Sequence, residues 1–224
     1  MLHVSAIALG SCQHNHPDVK KRLGHLDKPV ISGDHWLMKN SFVGQFLIAT
    51  PSMEDRRFRQ AVILICDHDE EHAMGIVLNR ALPKLTLPTL LDQMGIECSI
   101  KVPRAPVLDG GPCQPDRGFV LHTDDWEGDE ASLAIASGLR LTATRDVLQA
   151  IGQGRSPARA ILALGYSGWG GGQLEAEIRE NAWLVGDADP DTVFEAGNLK
   201  SKWEGAYARL GLEPWQVSGN VGQA

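Results

Sequence analysis

Chemistry in this chain could reside in the run Gly165-Tyr166-Ser167-Gly168-Trp169-Gly170-Gly171-Gly172-Gln173-Leu174-Glu175, where five of the first eight residues are glycine. An apolar segment, Ala160-Ile161-Leu162-Ala163-Leu164, precedes it and a helical pattern follows. A helix start behind glycine-rich backbone can cradle phosphate through free N–H groups and the helix dipole. The details argue against that use. GxxxxGK[ST] is absent, GxGxxG fails at Gln173, and Glu175 and Glu177 in the first helical turns repel an anion. Ser167 occupies a nucleophile's place between strand and helix, but the GxSxG spacing is off by one and no histidine follows His122. The expectation is a structural loop whose glycines let the helix pack closely on the sheet, with Tyr166 and Trp169 capping the core.

Other candidates are weaker still. Cys66 and His68 stand two apart, so an extended chain puts them on one face and could generate a thiolate. Cys66 ends an apolar run, where a cysteine is usually an inert small hydrophobe. His68 and His72 with Cys66 have the chemistry of zinc ligands, but HxxxH needs a helix and this segment reads as a turn. Cys12, His14 and His16 could chelate a metal, yet no further ligand is signposted. His122 follows a strand beside Asp124, Asp125 and Glu127 and could serve as a general base held by a carboxylate. Neither a metal nor a cofactor is expected.

The elements that must position these residues come from hydrophobic patterning. Gly44–Ala49 and Ala61–Cys66 read as strands, the second buried on both faces. Residues 67–72 read as a turn, with Met74–Asn79 returning as a partner strand. Leu87, Leu90, Leu91 and Met94 give a short amphipathic helix stopped by Gly95. Gly110-Gly111 forms a turn after Pro106-Val107-Leu108, and Arg117–His122, Leu139–Ala143 and Ala160–Gly165 are strands. Helices are expected over 146–151, over 173–185 with Leu174, Ile178, Ala182 and Val185 on one face, and over 199–210. The irregular mixture points to an α+β fold with a mostly antiparallel sheet. Residues 1–40 hold five of the eight histidines and no sustained periodicity, which suggests a loosely ordered extension before a single domain over 41–224.

Bulk properties narrow the function classes. A chain of 224 residues with 43% hydrophobic and 22% charged residues belongs to the ordinary globular class. Its net charge of −7 repels polyphosphate at long range, and its best basic patch, Arg56-Arg57-Phe58-Arg59, adjoins Glu54 and Asp55. No apolar run approaches the ~20 residues of a membrane span. Leu9-Gly10-Ser11-Cys12 superficially matches a lipoprotein cleavage box, but no Lys or Arg precedes it. Four scattered cysteines, Cys12, Cys66, Cys98 and Cys113, read as free thiols in a reducing, cytoplasmic setting.

Several segments together resemble the YqgE/AlgH family. These are Gly44-Gln45-Phe46-Leu47-Ile48-Ala49-Thr50-Pro51, Ala73-Met74-Gly75-Ile76-Val77-Leu78-Asn79-Arg80, Gly110-Gly111-Pro112 with Asp116-Arg117-Gly118-Phe119-Val120-Leu121-His122, and the glycine loop with Gly172-Gln173-Leu174-Glu175 and Asn181-Ala182-Trp183-Leu184. The resemblance runs in order from about 41 to 224, leaving 1–40 outside it. It implies a bent, partly barrel-like sheet surrounded by helices, in a bacterial cytosolic protein. The family is often labelled transcriptional regulator and has no established catalytic mechanism or cofactor. Arg56 departs from the family's usual proline, and the tail over 219–224 departs from its usual ending.

Direct DNA binding conflicts with the acidic charge and the lack of a helix-turn-helix pattern. The first expectation is therefore a non-enzymatic binding or regulatory protein. In it, Asn79, Arg80, Gly110, Gly111, Arg117, His122, Tyr166, Trp169, Gln173 and Glu175 line one pocket for a protein partner segment or small ligand. The alternative is an enzyme of unknown reaction centred on His122.

Overall fold

The computed structural model describes residues 41–217 apart from 127, 129–131 and 196–197. The expected extension over 1–40, with Cys12, His14 and His16, lies outside the described residues. Among the described residues there are ten strands: β1 Gln45–Ala49, β2 Val62–His68, β3 His72–Val77, β4 Ala81–Thr86, β5 Pro106–Asp109, β6 Cys113–His122, β7 Leu133–Ala136, β8 Leu139–Thr142, β9 Ala160–Gly170 and β10 Trp183–Asp187. The helices are α1 Leu87–Gln93, α2 Arg145–Gly152, α3 Gln173–Arg179, α4 Pro190–Phe194, α5 Lys202–Arg209 and α6 Pro214–Val217, with a 3-10 turn at Leu199–Ser201.

The sheet runs β10-β1-β2-β3-β9-β6-β8-β7, with β4 and β5 attached beside β9. Every pairing is antiparallel except β5 with β9. The β7 end curls back towards the start of β1, where a Cβ on Gly44 would stand 3.1 Å from the Ile135 carbonyl oxygen. The result is an α+β fold built on a curled half-barrel.

Alternation along each strand sorts side chains between three clusters. Phe46, Ile48, Val62, Leu64 and Cys66 face the inside of the curl with Phe119, Leu121 and Tyr166, where α5 inserts Trp203 and Tyr207. Leu47, Ala49, Ile63 and Ile65 face outward under Leu174, Trp169 and Trp183. Continuous burial on both faces is why β2 reads as an unbroken apolar run. The third cluster packs Val120 and Leu162 against Val147, Leu148 and Ile151 of α2 and Leu91 of α1.

Strand β9 joins the two halves of the sheet. Its first part pairs with β5 and β6, and its second part pairs with β3. The change happens at Gly165, whose φ of +73° suits glycine. Before it Ala163 faces the inner cluster, and after it Tyr166 does, so the alternation slips by one. Here two backbones nearly touch: a Cβ on Gly110 would lie 2.3 Å from the Gly165 carbonyl oxygen, and one on Gly111 would lie 2.4 Å from the Tyr166 carbonyl carbon.

Three expectations need correction. The glycine run is strand rather than loop up to Gly170: Gly168 and Gly170 pair with Met74 and His72. The helix expected over 173–185 ends at Arg179, and Trp183–Asp187 is a strand paired with β1. Cys66 and Cys98 are free, whereas Cys113 is in a disulfide, and its partner lies outside the described residues.

Candidate functional site

The ten residues expected to share a pocket sort by their contacts into separate groups. Asn79 and Arg80 brace the segment before β2. The Asn79 Oδ1 accepts from the Val62 N–H at 3.0 Å and its Nδ2 donates to the Gln60 carbonyl at 2.7 Å. The Arg80 guanidinium donates to the carbonyls of Arg57 and Arg59. Gly110 and Gly111 form the backbone crossing with Tyr166. Arg117 lies near that crossing: its guanidinium sits 5.4 Å over the Phe119 ring, and Phe119 packs edge-on against Tyr166 at 5.9 Å.

Trp169 and Gln173 belong to a different assembly around Glu177, which the sequence reading weighed only as a charge opposing an anion. Glu177 is buried. Its Oε2 accepts from the indole N–H of Trp169 at 3.0 Å and of Trp183 at 2.8 Å, while its Oε1 accepts from Gln173 Nε2 at 2.8 Å. Gln173 in turn accepts from the Gly170 N–H. The carboxylate thus ties α3 to β9 and β10 with three donors. It supplies acceptors that a buried indole pair would otherwise lack.

Glu175 pairs with His68. The Phe42 N–H donates to His68 Nδ1 at 3.1 Å, so the ring proton of the neutral form resides on Nε2 and is donated to Glu175 Oε1 at 2.8 Å. His72 lies between Asp69 at 2.8 Å and Asp67 at 3.0 Å. The hydrogen bond to Asp67 raises its pKa above the ordinary value despite partial burial. Among the described residues no group of three or more His, Cys, Asp or Glu is placed to hold a metal ion. The Cys66 thiol is buried in the inner cluster, and burial pushes its pKa upward, which opposes thiolate formation.

His122 stands at the end of β6 away from the backbone crossing, about 16 Å along the strand from Arg117 at ~3.3 Å per residue. It is fully buried. Its Nδ1 is 2.7 Å from the Thr123 carbonyl and its Nε2 is 2.8 Å from the Thr142 hydroxyl. A carbonyl can only accept, so Nδ1 carries the proton. Burial, with Arg140 adding to it, lowers the pKa below the ordinary histidine value.

Beside this histidine is a hollow of about 320 Å³, lined by Met94, Gly118, Val120, Thr142, Ala143, Thr144, Arg145, Leu148 and Leu162. None of the ten expected residues lines it. The local sequence explains its shape. Gly118, Val120 and His122 alternate on one face of β6, and Thr142 of β8 lies directly opposite Val120. Leu162 of β9 completes the floor, and Leu148 of α2 forms a wall. Arg145 donates to the Met94 carbonyl at 2.6 Å and straps the rim.

Gly118 is the distinctive member. A Cβ there would meet only Leu164 Cδ2 at 3.8 Å, and its φ is not positive. Neither steric crowding nor backbone conformation demands glycine at this position. A glycine inside a strand can mark the close approach of another molecule. That was the available sequence signal for the hollow, since Gly118 interrupts the β pattern of Arg117–His122.

A sequence profile described as AlgH-like matches residues 46–215 of this chain. A UPF0301 protein of Beijerinckia indica is 49% identical over 188 residues, spanning 81% of this chain and 91% of the relative. One from Caulobacter vibrioides is 44% identical over 183 residues, spanning 81% and 93%. The solution structure of the AlgH protein from Pseudomonas aeruginosa superposes with a TM-score of 0.66 at 36% identity, covering 83% of this chain and 97% of that one. A protein from Corynebacterium diphtheriae, at 23% identity and a TM-score of 0.61, shares the fold.

Proposed function

This chain belongs to the AlgH-like family, and from that premise we propose that it is a non-enzymatic binding protein that takes a small ligand in the hollow between β6, β8, β9 and α2. The observation that carries this reading is Gly118, a strand glycine that leaves open space where no packing or backbone constraint requires it. The volume of about 320 Å³ lies within the range of small-ligand sites. The lining is an apolar floor of Val120, Leu162 and Met94 with Leu148 as a wall, and the hydroxyl of Thr144 and the cation of Arg145 stand around it. Those groups suit a ligand with an apolar body and one polar end. They include no carboxylate, imidazole or thiol, so the reading is binding rather than catalysis.

The test uses phenylacetate and 2-phenylethanol as probes of that chemistry, with protein amide and methyl NMR as the readout. Saturable shifts centred on Val120, Thr142, Leu148 and Leu162, lost in Gly118→Leu, are expected. Shifts elsewhere, or none, would overturn the proposal. A partner protein's apolar side chain would compete for the same space, and Gly118→Leu would exclude it equally.

A further inference from the structure

Among the described residues that line the hollow, Arg145 is the only charged one. It is exposed, at the start of α2. Its Nη2 donates at 2.6 Å to the carbonyl of Met94, the residue that closes α1. Carbonyls at a helix end have no partner within the helix, which explains the contact. Arg145 makes no ion pair among the described residues. The nearest carboxylate along the chain, Asp146, turns to the Thr144 hydroxyl and the Val147 N–H instead.

A guanidinium carries five N–H donors in a planar fork, and one carbonyl takes one of them. A carbonyl also brings no negative charge. Arg145 therefore keeps its full charge and enough donors for a two-point hydrogen bond to a carboxylate. Its reach from α2 to Met94 holds the group across the rim, between two lining residues. A side chain already ordered in this way loses less freedom when an anion arrives.

The rest of the lining narrows the kind of anion. The Thr144 proton is given to Asp146, and the Thr142 hydroxyl is buried against His122 and Ser132, so neither supplies a donor. A single guanidinium balances one negative charge, which suits a carboxylate better than a phosphate carrying nearly two. An ammonium group would meet a like charge at the mouth. Val120, Leu162 and Leu148 offer only apolar surface below the rim. At ~30 Å³ for each water-sized group, the volume of about 320 Å³ holds on the order of ten non-hydrogen atoms.

We propose that the hollow takes an aryl or short-chain monocarboxylate, which enters with its apolar body first and leaves its carboxylate at the rim on the Arg145 guanidinium. This rests on the hollow being the binding site, and it adds the charge class of the ligand and the residue that reads it.

The experiment titrates the full chain with phenylacetate and with its neutral isostere phenylacetamide. NMR follows the methyls of Val120, Leu148 and Leu162 and the Nε–H of Arg145. Phenylacetate is expected to bind about tenfold more tightly, equivalent to about 1.4 kcal/mol, and to move the Arg145 Nε–H further than the amide does. Added salt should weaken the acid more than the amide. Arg145→Gln should erase the preference for the acid. Arg104→Gln, which removes an equal charge from an exposed position outside the lining, should keep it. An arginine that served only as a strap would behave differently on replacement: Tm would fall, both probes would weaken alike and the preference would persist. That result would overturn the inference. So would equal affinities of acid and amide in the wild type, a comparison that needs no variant. In both cases the hollow would still stand as a binding site. The binding reading itself fails if neither probe reaches the hollow.

Discussion

Replacing Gly118 with leucine should make the protein more stable and less able to bind. The added Cβ meets its nearest atom at 3.8 Å, so the substitution begins without a clash. Removing a glycine from a strand recovers about 0.5–1 kcal/mol of backbone entropy. Fully burying a leucine side chain contributes about 1.5–3 kcal/mol, and a hollow open on one side should deliver about half of that. The sum is about 1.3–2.5 kcal/mol in favour of the folded state. For a domain of this size, ~2–4 °C per kcal/mol converts that to a rise in Tm of about 3–10 °C. Differential scanning calorimetry of wild type and variant, beside probe titrations, measures both sides of the trade. A fall in Tm would mean that the space at Gly118 is needed for packing, and the case for a ligand there would collapse. An unchanged probe affinity at higher Tm would place the ligand elsewhere.

The remaining expectations concern what holds the frame. Glu177→Ala should cost about 3–5 kcal/mol by urea unfolding, because it strands two buried indole N–H groups together; a cost below about 1 kcal/mol would show the network to be incidental. Gly111→Ala should fail to give a native spectrum, since its Cβ would meet Tyr166 and Ser167 backbone within 2.5 Å, whereas Gly172→Ala, at φ +72° with nothing within 4 Å, should cost about 1–2 kcal/mol. Equal costs for the two would refute the steric account. The two perturbed histidines should bend the pH–stability curve in opposite senses. His72, raised by Asp67, contributes stability that is complete below the ordinary value near 6.5 and is lost as pH climbs through its higher folded value. His122, lowered by burial, favours the folded state above that ordinary value, and its contribution is lost as pH falls towards its lower folded value. Chemical unfolding of His72→Gln and His122→Gln across pH should flatten the alkaline and acid flanks respectively.

Strands β1 to β3 were legible because both of their faces are buried, so the apolar run is continuous and needs no interpretation. The strand at 183–187 was hidden inside a helical pattern. Leu174, Ile178, Ala182 and Val185 have helical spacing, but Asn181 at φ +58° ends α3. The Ala182 N–H bonds the Glu177 carbonyl and the Asn181 N–H bonds the Ile178 carbonyl, a Schellman closure made with asparagine where glycine is the commoner signal. The glycine run misled for a related reason. Its composition reads as a loop, yet the run is strand up to Gly170 and its first glycine serves close approach within the sheet: a Cβ on Gly165 would lie 2.4 Å from the Gly111 carbonyl oxygen. Apart from Gly118, the hollow was illegible for a different reason. Met94, Gly118, Thr142 and Leu162 lie far apart along the chain and none carries reactive chemistry, so only pairing register brings them together.

Because β9 links β3 on one side to β5 and β6 on the other, and β1 finds its outer neighbour only in β10, neither half can close while the chain is still being synthesised. Sequence-distant pairing of this kind is slow, and its unfinished edges invite misassociation. A nascent polypeptide halted before Ala160 would display the bare flank of β3 to its surroundings. Ribosome-bound fragments should therefore remain protease-sensitive until residues 160–187 have emerged, and then acquire resistance in one late step.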